Sequence, residues 1–455
     1  MFTIVNKKYH KFSILKQSIS GIRGVVDEGD LTPKDVMRFC TNFASLAGCE
    51  CIVGMDTRPS SQMLSHAASA GLSSMGVDIC NLGVVPTPAV FREARKVNGA
   101  GLVITSSHNP LEWNGLKFIV DGRGINEREL PTILEHSKNK EGPKVGLERN
   151  CATTYVDDAV RIIGEAEGSP RIAVDIGGGA ARDYAPRLLE RIGCRTTIIN
   201  GDLQSCTRGP DPTADRLLDL VGASTKMDMG FAFDLDGDRL VIVSDGVKET
   251  PDATLGLGVA GALETGCRSF VLSTDTSIAV ERLIRDGGGR CTRSKVGEAN
   301  VVDAMIGSGA QAGGEGSSGG FILSEFNYCR DGMLASGLIS AMIHGSDSRL
   351  DEVLQSLRQS CMIRTKVQAA PDTHDGIVER ADAWLHSNCS EVDRLDGIKG
   401  IIDEHSWVLI RRSNTEDAVR ISAESDGRDR CERIVKDVTA AIMPDDRHAS
   451  SIPAG

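Results

Sequence analysis

Three times along the chain a short apolar run gives way to a polar turn and then to an amphipathic stretch. This restart limits the possible folds more than any other feature. The first unit reads Cys51-Ile52-Val53-Gly54-Met55, then a helical pattern over 63–75, then strand-like runs at 77–80 and 101–104. The second opens on Arg171-Ile172-Ala173-Val174, turns through Gly177-Gly178-Gly179 into a helix ending near 192, and adds runs at 230–233 and 240–243. The third has a run at 269–272, a helical pattern at 277–285 and a run at 320–323. Apolar runs of four or five residues bounded by turn residues read as buried strands, and their alternation with helices predicts mainly parallel sheets covered by helices. Fifty glycines suit many strand-to-helix turns, whereas 4% aromatic residues is low for an aromatic-rich β-sandwich.

The tail differs. A helical pattern over 375–386, runs at 407–410 and 419–423 and a last helix over 428–442 alternate without glycine-rich turns, which predicts a smaller α+β unit. The charged stretch 138–149, with glycine and proline, reads as a linker. At about 150 residues per domain, 455 residues hold several domains. The expected division is 1–149, 150–249, 250–365 and 366–455.

A net charge of −12 argues against a nucleic-acid partner, which needs a basic footprint. No apolar run approaches the roughly 18 residues of a membrane span, and the first 17 residues lack the apolar core of a secretory signal. Thirteen cysteines are scattered without a CxxC pair. They are expected to be reduced thiols in a cytoplasmic protein, and no zinc site is expected.

Four segments have the residues for chemistry. Phe233-Asp234-Leu235-Asp236-Gly237-Asp238-Arg239 follows an apolar run and puts three carboxylates at alternate positions. At about 4 Å and an effective dielectric near 20, each pair repels by roughly 4 kcal/mol, so the three call for a cation unless they form an acidic surface turn, which rarely follows so apolar a strand. All-oxygen ligands point to Mg²⁺. Thr105-Ser106-Ser107-His108-Asn109-Pro110 follows the run at 101–104, where ligands of open α/β sheets bind; it reads as a phosphate-carrying or nucleophilic serine, or as ordinary turn chemistry. Arg411-Arg412-Ser413-Asn414-Thr415-Glu416 between two strands reads as a phosphate clamp or a solvated hairpin turn, with Arg420 placed by alternation to join it. Gly313-Gly314-Glu315-Gly316-Ser317-Ser318-Gly319-Gly320 reads as a polar loop open to a close ligand or simply as a long turn.

Taken in order, the blocks 20–25, 105–110, 114–117, 234–239, 295–298, 314–320, 330–332 and 411–420 resemble the α-D-phosphohexomutase family over nearly the whole chain. The resemblance implies an α/β protein of four domains around a cleft, three with related mixed or parallel cores and a smaller C-terminal α+β domain. It also implies an intramolecular phosphotransferase using one Mg²⁺ per subunit and a sugar bisphosphate. Ser107 would bear the phosphate and hold Mg²⁺ with Asp234, Asp236 and Asp238; Arg23, His108, Lys117 and Arg239 would surround the reacting group. Lys295, Glu315 and Ser317 would meet the sugar, and Arg411, Ser413, Asn414, Thr415 and Arg420 the other phosphate. A monomer or homodimer acting on a small hexose phosphate in the cytoplasm is expected. Ser20-Gly21-Ile22-Arg23-Gly24 resembles the glucosamine-type start, so glucosamine phosphate is preferred over mannose or glucose phosphate. Two departures stand out: Gly319-Gly320 where many relatives have a histidine, and Asp417 where proline is common. Phe233-Asp234-Leu235-Asp236-Gly237 also fits the aspartyl nucleophile of haloacid-dehalogenase phosphatases, although Asp238-Arg239 replaces their usual Thr-Leu. A sugar-phosphate sensor is a third reading.

Overall fold

Each of the first three units is built around two parallel strands, the second of which turns back into an antiparallel neighbour. In the first, Glu50–Met55 lies beside Ala100–Ile104, which returns as Trp113–Val120. In the second, Arg171–Asp175 lies beside Met229–Phe233, which returns as Leu240–Ser244. In the third, Ser269–Ser273 lies beside Ala312–Glu315, which returns as Gly320–Leu323. The central strands are buried along their whole length, which explains why they read as unbroken apolar runs. The serine, carboxylate and glycine-rich loops are therefore the same topological element, the turn at the carboxyl end of the inner parallel strand. The computed structural model describes residues 15–135, 144–343, 349–370, 373–413 and 417–443.

The first sheet has eight strands and is mixed, with antiparallel pairing at Gly21–Val25 and Trp113–Val120. The expectation of a mainly parallel sheet missed this because the loop between Ala100–Ile104 and Trp113–Val120 is too short for a crossover helix. Two expected junctions fall inside strands. Glu148–Asn150 pairs in parallel with Asp78–Val84 at the end of the supposed linker, and Cys361–Gln368 joins the fourth sheet. The first of these pairings also corrects the expectation for cysteine. Cys151 N donates to Asn81 O at 2.8 Å, which sets Cys151 beside Cys80, and the two form a disulfide with Cα atoms 5.6 Å apart. The remaining described cysteines are free thiols.

The fourth sheet is wholly antiparallel, in the order Cys361–Gln368, Ala418–Ser425, Ser406–Arg412, Ile398–Asp403 and Glu391–Asp393. Helices His374–Asn388 and Arg428–Ile442 cover one face. Apolar packing sets this unit apart. One core runs through the first three units, from Phe91 and Tyr155 through Ile172 and Phe231 to Phe270 and Phe321, while the fourth unit has its own. No helix among the described residues is long and apolar enough to cross a membrane.

Candidate active site

The serine loop is fixed from beneath by two residues that the sequence reading did not single out. Asp56 and Arg58 follow the strand Glu50–Met55, pair at 3.0 Å and have side chains with no exposure. Arg58 donates to the carbonyls of Ser107, Asn109, Pro110 and Trp113, and Thr105 Oγ1 donates to Asp56 Oδ2 at 2.7 Å. This over-determined setting holds Ser107 at φ 51°, a left-handed conformation that costs a serine about 1–3 kcal/mol and is typical of functional turns. Ser106 Oγ faces the loop itself, accepting from Asn109 Nδ2 at 3.0 Å. Ser107 Oγ faces the second unit and donates to Asp234 Oδ2 at 2.7 Å.

Asp234, Asp236 and Asp238 are fully buried, and one ligand atom from each lies within 4.8 Å of the others. Gly237, at φ 70°, lets the loop curl so that alternate side chains converge. One oxygen on each of Asp236 and Asp238 is engaged from another unit. Asp236 Oδ2 accepts from Thr87 Oγ1 at 2.7 Å, and Asp238 Oδ2 accepts from Lys117 Nζ at 3.0 Å and Arg330 Nη2 at 2.9 Å. Their other oxygens, Asp236 Oδ1 and Asp238 Oδ1, are buried without a hydrogen-bond partner. Burial and then its two neighbouring carboxylates raise Asp234 well above the usual range. Burial would do the same to Asp238, but Arg330, Lys117 and Arg239 hold it well below that range. Orphaned, converging carboxylate oxygens with no nitrogen or sulfur donor fit a hard divalent cation.

Four basic residues named from the sequence, Arg23, Lys117, Arg239 and His108, lie around this centre. Half-buried Arg23 lies within electrostatic reach of Asp236 and Asp238, and burial lowers its pKa. Lys117 also faces Glu298 at 3.8 Å; burial opposes its charge, but Glu298, Asp238 and Asp236 raise its pKa and keep it protonated. Arg239 N donates to Asp234 Oδ1 at 3.1 Å, and its guanidinium lies 3.6 Å from Asp211 and 3.4 Å from His108 Nε2. His108 Nδ1 is 3.4 Å from Ser107 Oγ, but burial, and then Arg239, push the ring down to about 3. It sits in the ring as a neutral imidazole.

Arg330 joins this centre to the glycine-rich loop. Besides Asp238 it meets Glu298 at 2.9 Å and Glu315 at 3.7 Å, and a Cβ on Gly320 would lie 2.2 Å from its Cδ. Gly320 is thus required by the path of the Arg330 side chain. Glu315 Oε1 accepts from Gly297 N at 2.8 Å, and burial raises its pKa. Ser317 is half-buried on the 3₁₀ turn Gly316–Ser318. Lys295 is exposed, and among the described residues no ion pair joins it to the carboxylates.

Of the expected clamp residues, Arg411 and Arg420 lie on the fourth sheet and Ser413 follows its strand Ser406–Arg412. Arg411 and Arg420 are cross-strand partners, and Arg420 Nε donates to Ser413 Oγ at 3.3 Å. Lys366 is the partner of Arg420 on its other side, so three cations share one row across three strands. Like charges directly opposite are unfavourable unless an anion lies between them. Asn414 and Thr415 lie outside the described residues. Thr87 was missed because nothing local marks it, whereas Asp56 and Arg58 had a usable signal, Asp-x-Arg at the end of a predicted strand. Arg330 and Glu298 fell inside resembling blocks without a role.

Comparison with known proteins agrees with this geometry. Models for phosphoglucomutase/phosphomannomutase alpha/beta/alpha domains I, II and III match residues 15–143, 153–246 and 250–361, and that for the C-terminal domain matches 363–441. The chain is 34% identical to a probable phosphoglucosamine mutase of Methanothermobacter thermautotrophicus, over 89% of this chain and 92% of that one. It is 30% identical to a phosphoglucomutase/phosphomannomutase of Thermococcus kodakarensis, over 89% and 93%. Among solved structures, a phosphoglucomutase/phosphomannomutase family protein of Burkholderia thailandensis superposes with a TM-score of 0.82 at 25% identity, covering 95% of this chain and 97% of that one.

Proposed function

Because the chain belongs to the phosphoglucomutase/phosphomannomutase family, we propose that it moves a phosphoryl group between O6 and O1 of a hexose phosphate, with glucosamine phosphate as the preferred sugar. Ser107 carries the proposal, as a hydroxyl held 2.7 Å from one carboxylate of a buried acidic triad whose other members keep unpaired oxygens. Phosphorylated Ser107 would add nearly two negative charges beside Asp234, Asp236 and Asp238. Mg²⁺ bound by these four residues would supply the neutralising charge. Phosphoryl transfer passes through a loose transition state, so positioning and charge stabilisation do most of the work. Arg23 and Arg239 stabilise the equatorial oxygens. Lys117, kept protonated, serves as a cation and not as a base. Glu315 and Ser317 contact sugar hydroxyls, Lys295 approaches the bound sugar, and Arg411, Ser413, Asn414, Thr415 and Arg420 hold the phosphate that is not reacting. Ser107 gives its phosphoryl group to the sugar, the bisphosphate turns around, and its other phosphate returns to Ser107.

The glucosamine preference is supported by the name of the Methanothermobacter relative and by the Ser20–Gly24 segment; the Thermococcus name supports activity on glucose and mannose phosphates as a second reading. The four-domain match leaves no place for an aspartyl-phosphate phosphatase. A cytoplasmic setting is supported by the free thiols that make up most of the cysteines. The test is turnover of glucosamine, glucose and mannose 6-phosphates, with the phosphorylated residue mapped by mass spectrometry. Phosphate on any residue but Ser107 overturns the mechanism, and faster turnover of glucose or mannose phosphate overturns the preference.

A further inference from the structure

The fourth sheet uses both of its faces. Val408, Ile410, Val419, Ile421 and Ala423 pack in that unit's core. Alternation therefore sends Trp407 and Arg411 to the opposite face, with their cross-strand partners Glu424 and Arg420. One strand, Ala418–Ser425, thus has Arg420 of the clamp and, four residues on, Glu424.

Glu424 is fully buried, yet two of its three donors belong to the third unit. Ser277 Oγ donates to its Oε1, Ile278 N donates to its Oε2 at 2.8 Å, and Trp407 Nε1 shares Oε2. The carboxylate so caps helix Ile278–Asp286 across the junction. The same loop supports the sugar side of the site, because Thr276 Oγ1 accepts from Gly316 N at 2.9 Å, next to Glu315. Two basic residues of the fourth unit brace the loop from either side: Arg364 donates to Asp275 O at 2.8 Å and Lys399 to Thr274 O at 2.7 Å.

We propose that Glu424 is a positioning residue that sets the distance between the distal-phosphate clamp on its own strand and the sugar-contacting loop, acting through residues 274–278, which touch Glu424 on one side and that loop on the other. The inference rests on the hexose-phosphate reading above, because only a substrate held at both ends senses that distance. Four residues of strand span about 14 Å at roughly 3.4 Å each, and this strand is paired on both edges, so anchoring Glu424 fixes Arg420. A hexose phosphate that meets the clamp and the loop together is a bivalent ligand, and its affinity falls when the second contact is no longer in reach.

The test compares full-length Glu424→Ala, Glu424→Gln and Ser277→Ala with the wild type. The readouts are kinetics on glucosamine 6-phosphate, binding of inorganic phosphate, and small-angle scattering. Glu424→Ala should raise KM about tenfold or more while kcat stays within about threefold. Its affinity for inorganic phosphate should not change, and its radius of gyration should increase. Glu424→Gln still accepts from Ile278 N and Trp407 Nε1, and should restore KM to within about threefold. Ser277→Ala should raise KM about two- to fivefold, and decides the matter if Glu424→Ala does not fold. An unchanged KM in either folded variant, or equal losses of kcat and kcat/KM with unaltered scattering, overturns the proposal. A wild type without mutase turnover would instead overturn the functional reading, and scattering of Glu424→Ala against wild type would still judge the joint.

Discussion

On the proposed function, the serine–carboxylate centre and the cation row of the fourth sheet would handle the same kind of anion by opposite means. The centre is buried where three units share one apolar core, and its carboxylates are oriented by side chains from other units: Thr87 and Lys117 from the first, Arg330 from the third. The clamp would be a row of cations, Arg411 and Arg420 half-buried and Lys366 exposed, on a unit with its own core, attached to the third unit by polar contacts at Glu424, Arg364 and Lys399. A bond-breaking centre gains from a dry, preorganised field aimed at developing charge. A site that only holds a phosphate, and must release it each time the intermediate turns, is better placed near water on a unit that can adjust.

The sharpest way to break this contrast is at Ser107. Ser107→Ala should lower turnover by about a thousandfold or more, since it removes the group that carries the phosphate. Folding should hardly change, because Arg58 and Asp56 hold the loop through its backbone and Thr105. Ser106→Ala serves as the control, its hydroxyl bonding within the loop. Turnover surviving in Ser107→Ala but not in Ser106→Ala would move the chemistry to the other serine.

A smaller effect tests whether one unit really orients the carboxylates of another. Thr87→Val removes the 2.7 Å bond to Asp236 Oδ2 without changing the shape of the core. Loss of such a supporting bond typically weakens metal binding about tenfold. Titration with Mn²⁺ followed by electron paramagnetic resonance reads this apart from activity, and an unchanged affinity would mean that the Asp236 carboxylate needs no help from the Thr87 hydroxyl.

These two positions also mark how far the sequence was legible. The carboxylate and serine loops were readable because each follows an apolar strand, and strand ends are where such sheets place ligands; the glycine-rich segment was marked only by its composition, and part of it is the strand Ala312–Glu315 itself. Thr87 was not, since its partner Asp236 is 149 residues away and only the docking of two units brings them together. Glu424 was hidden in the same way, as one acid on a strand whose alternation gives its face but not what covers that face. The Cys80–Cys151 pair depended on a three-residue edge strand inside a stretch with linker composition. The polar contacts between units are specified by the packing of the units, and no local pattern encodes them.

The clamp gives the third prediction. Arg420→Ala removes the middle of the row formed with Arg411 and Lys366. A charge-assisted bond contributes about 1.5–3 kcal/mol, so kcat/KM should fall about ten- to a hundredfold with both the 1- and the 6-phosphate. Each occupies the clamp in one half of the cycle. Phosphorylation of Ser107 by saturating bisphosphate should be affected less. A loss in one direction alone would mean that the clamp recognises a single orientation, and its contrast with the centre would then lie in specificity.

The smallest effect concerns the polar junction itself. Lys399 is buried with its Nζ 3.9 Å from the centre of the Trp407 ring, and burial, with Arg293 nearby, pushes it down to about 7 against the pull of Glu424, Glu281 and Asp275. An unfolded lysine titrates near 10.4. Between these values the unfolded chain binds a proton that the folded chain does not, so this residue makes stability rise with pH across that window, by up to about 1.4 kcal/mol per unit. Below about 7 its burial is fully unfavourable, and above about 10.4 the unfavourable contribution is gone. Lys399→Met removes the titration and keeps most of the stem's packing, while leaving the Thr274 carbonyl without its 2.7 Å donor. The stability of Lys399→Met relative to wild type, read from urea midpoints, should therefore be greatest near pH 7 and shrink steadily towards pH 9.5, with every other titrating group cancelling in the difference. A difference that stays flat over that range would mean that Lys399 keeps its proton in the folded chain. The junction would then be an ordinary set of ion pairs, and the fourth unit would be held to the third by charge, not by a desolvated polar seam.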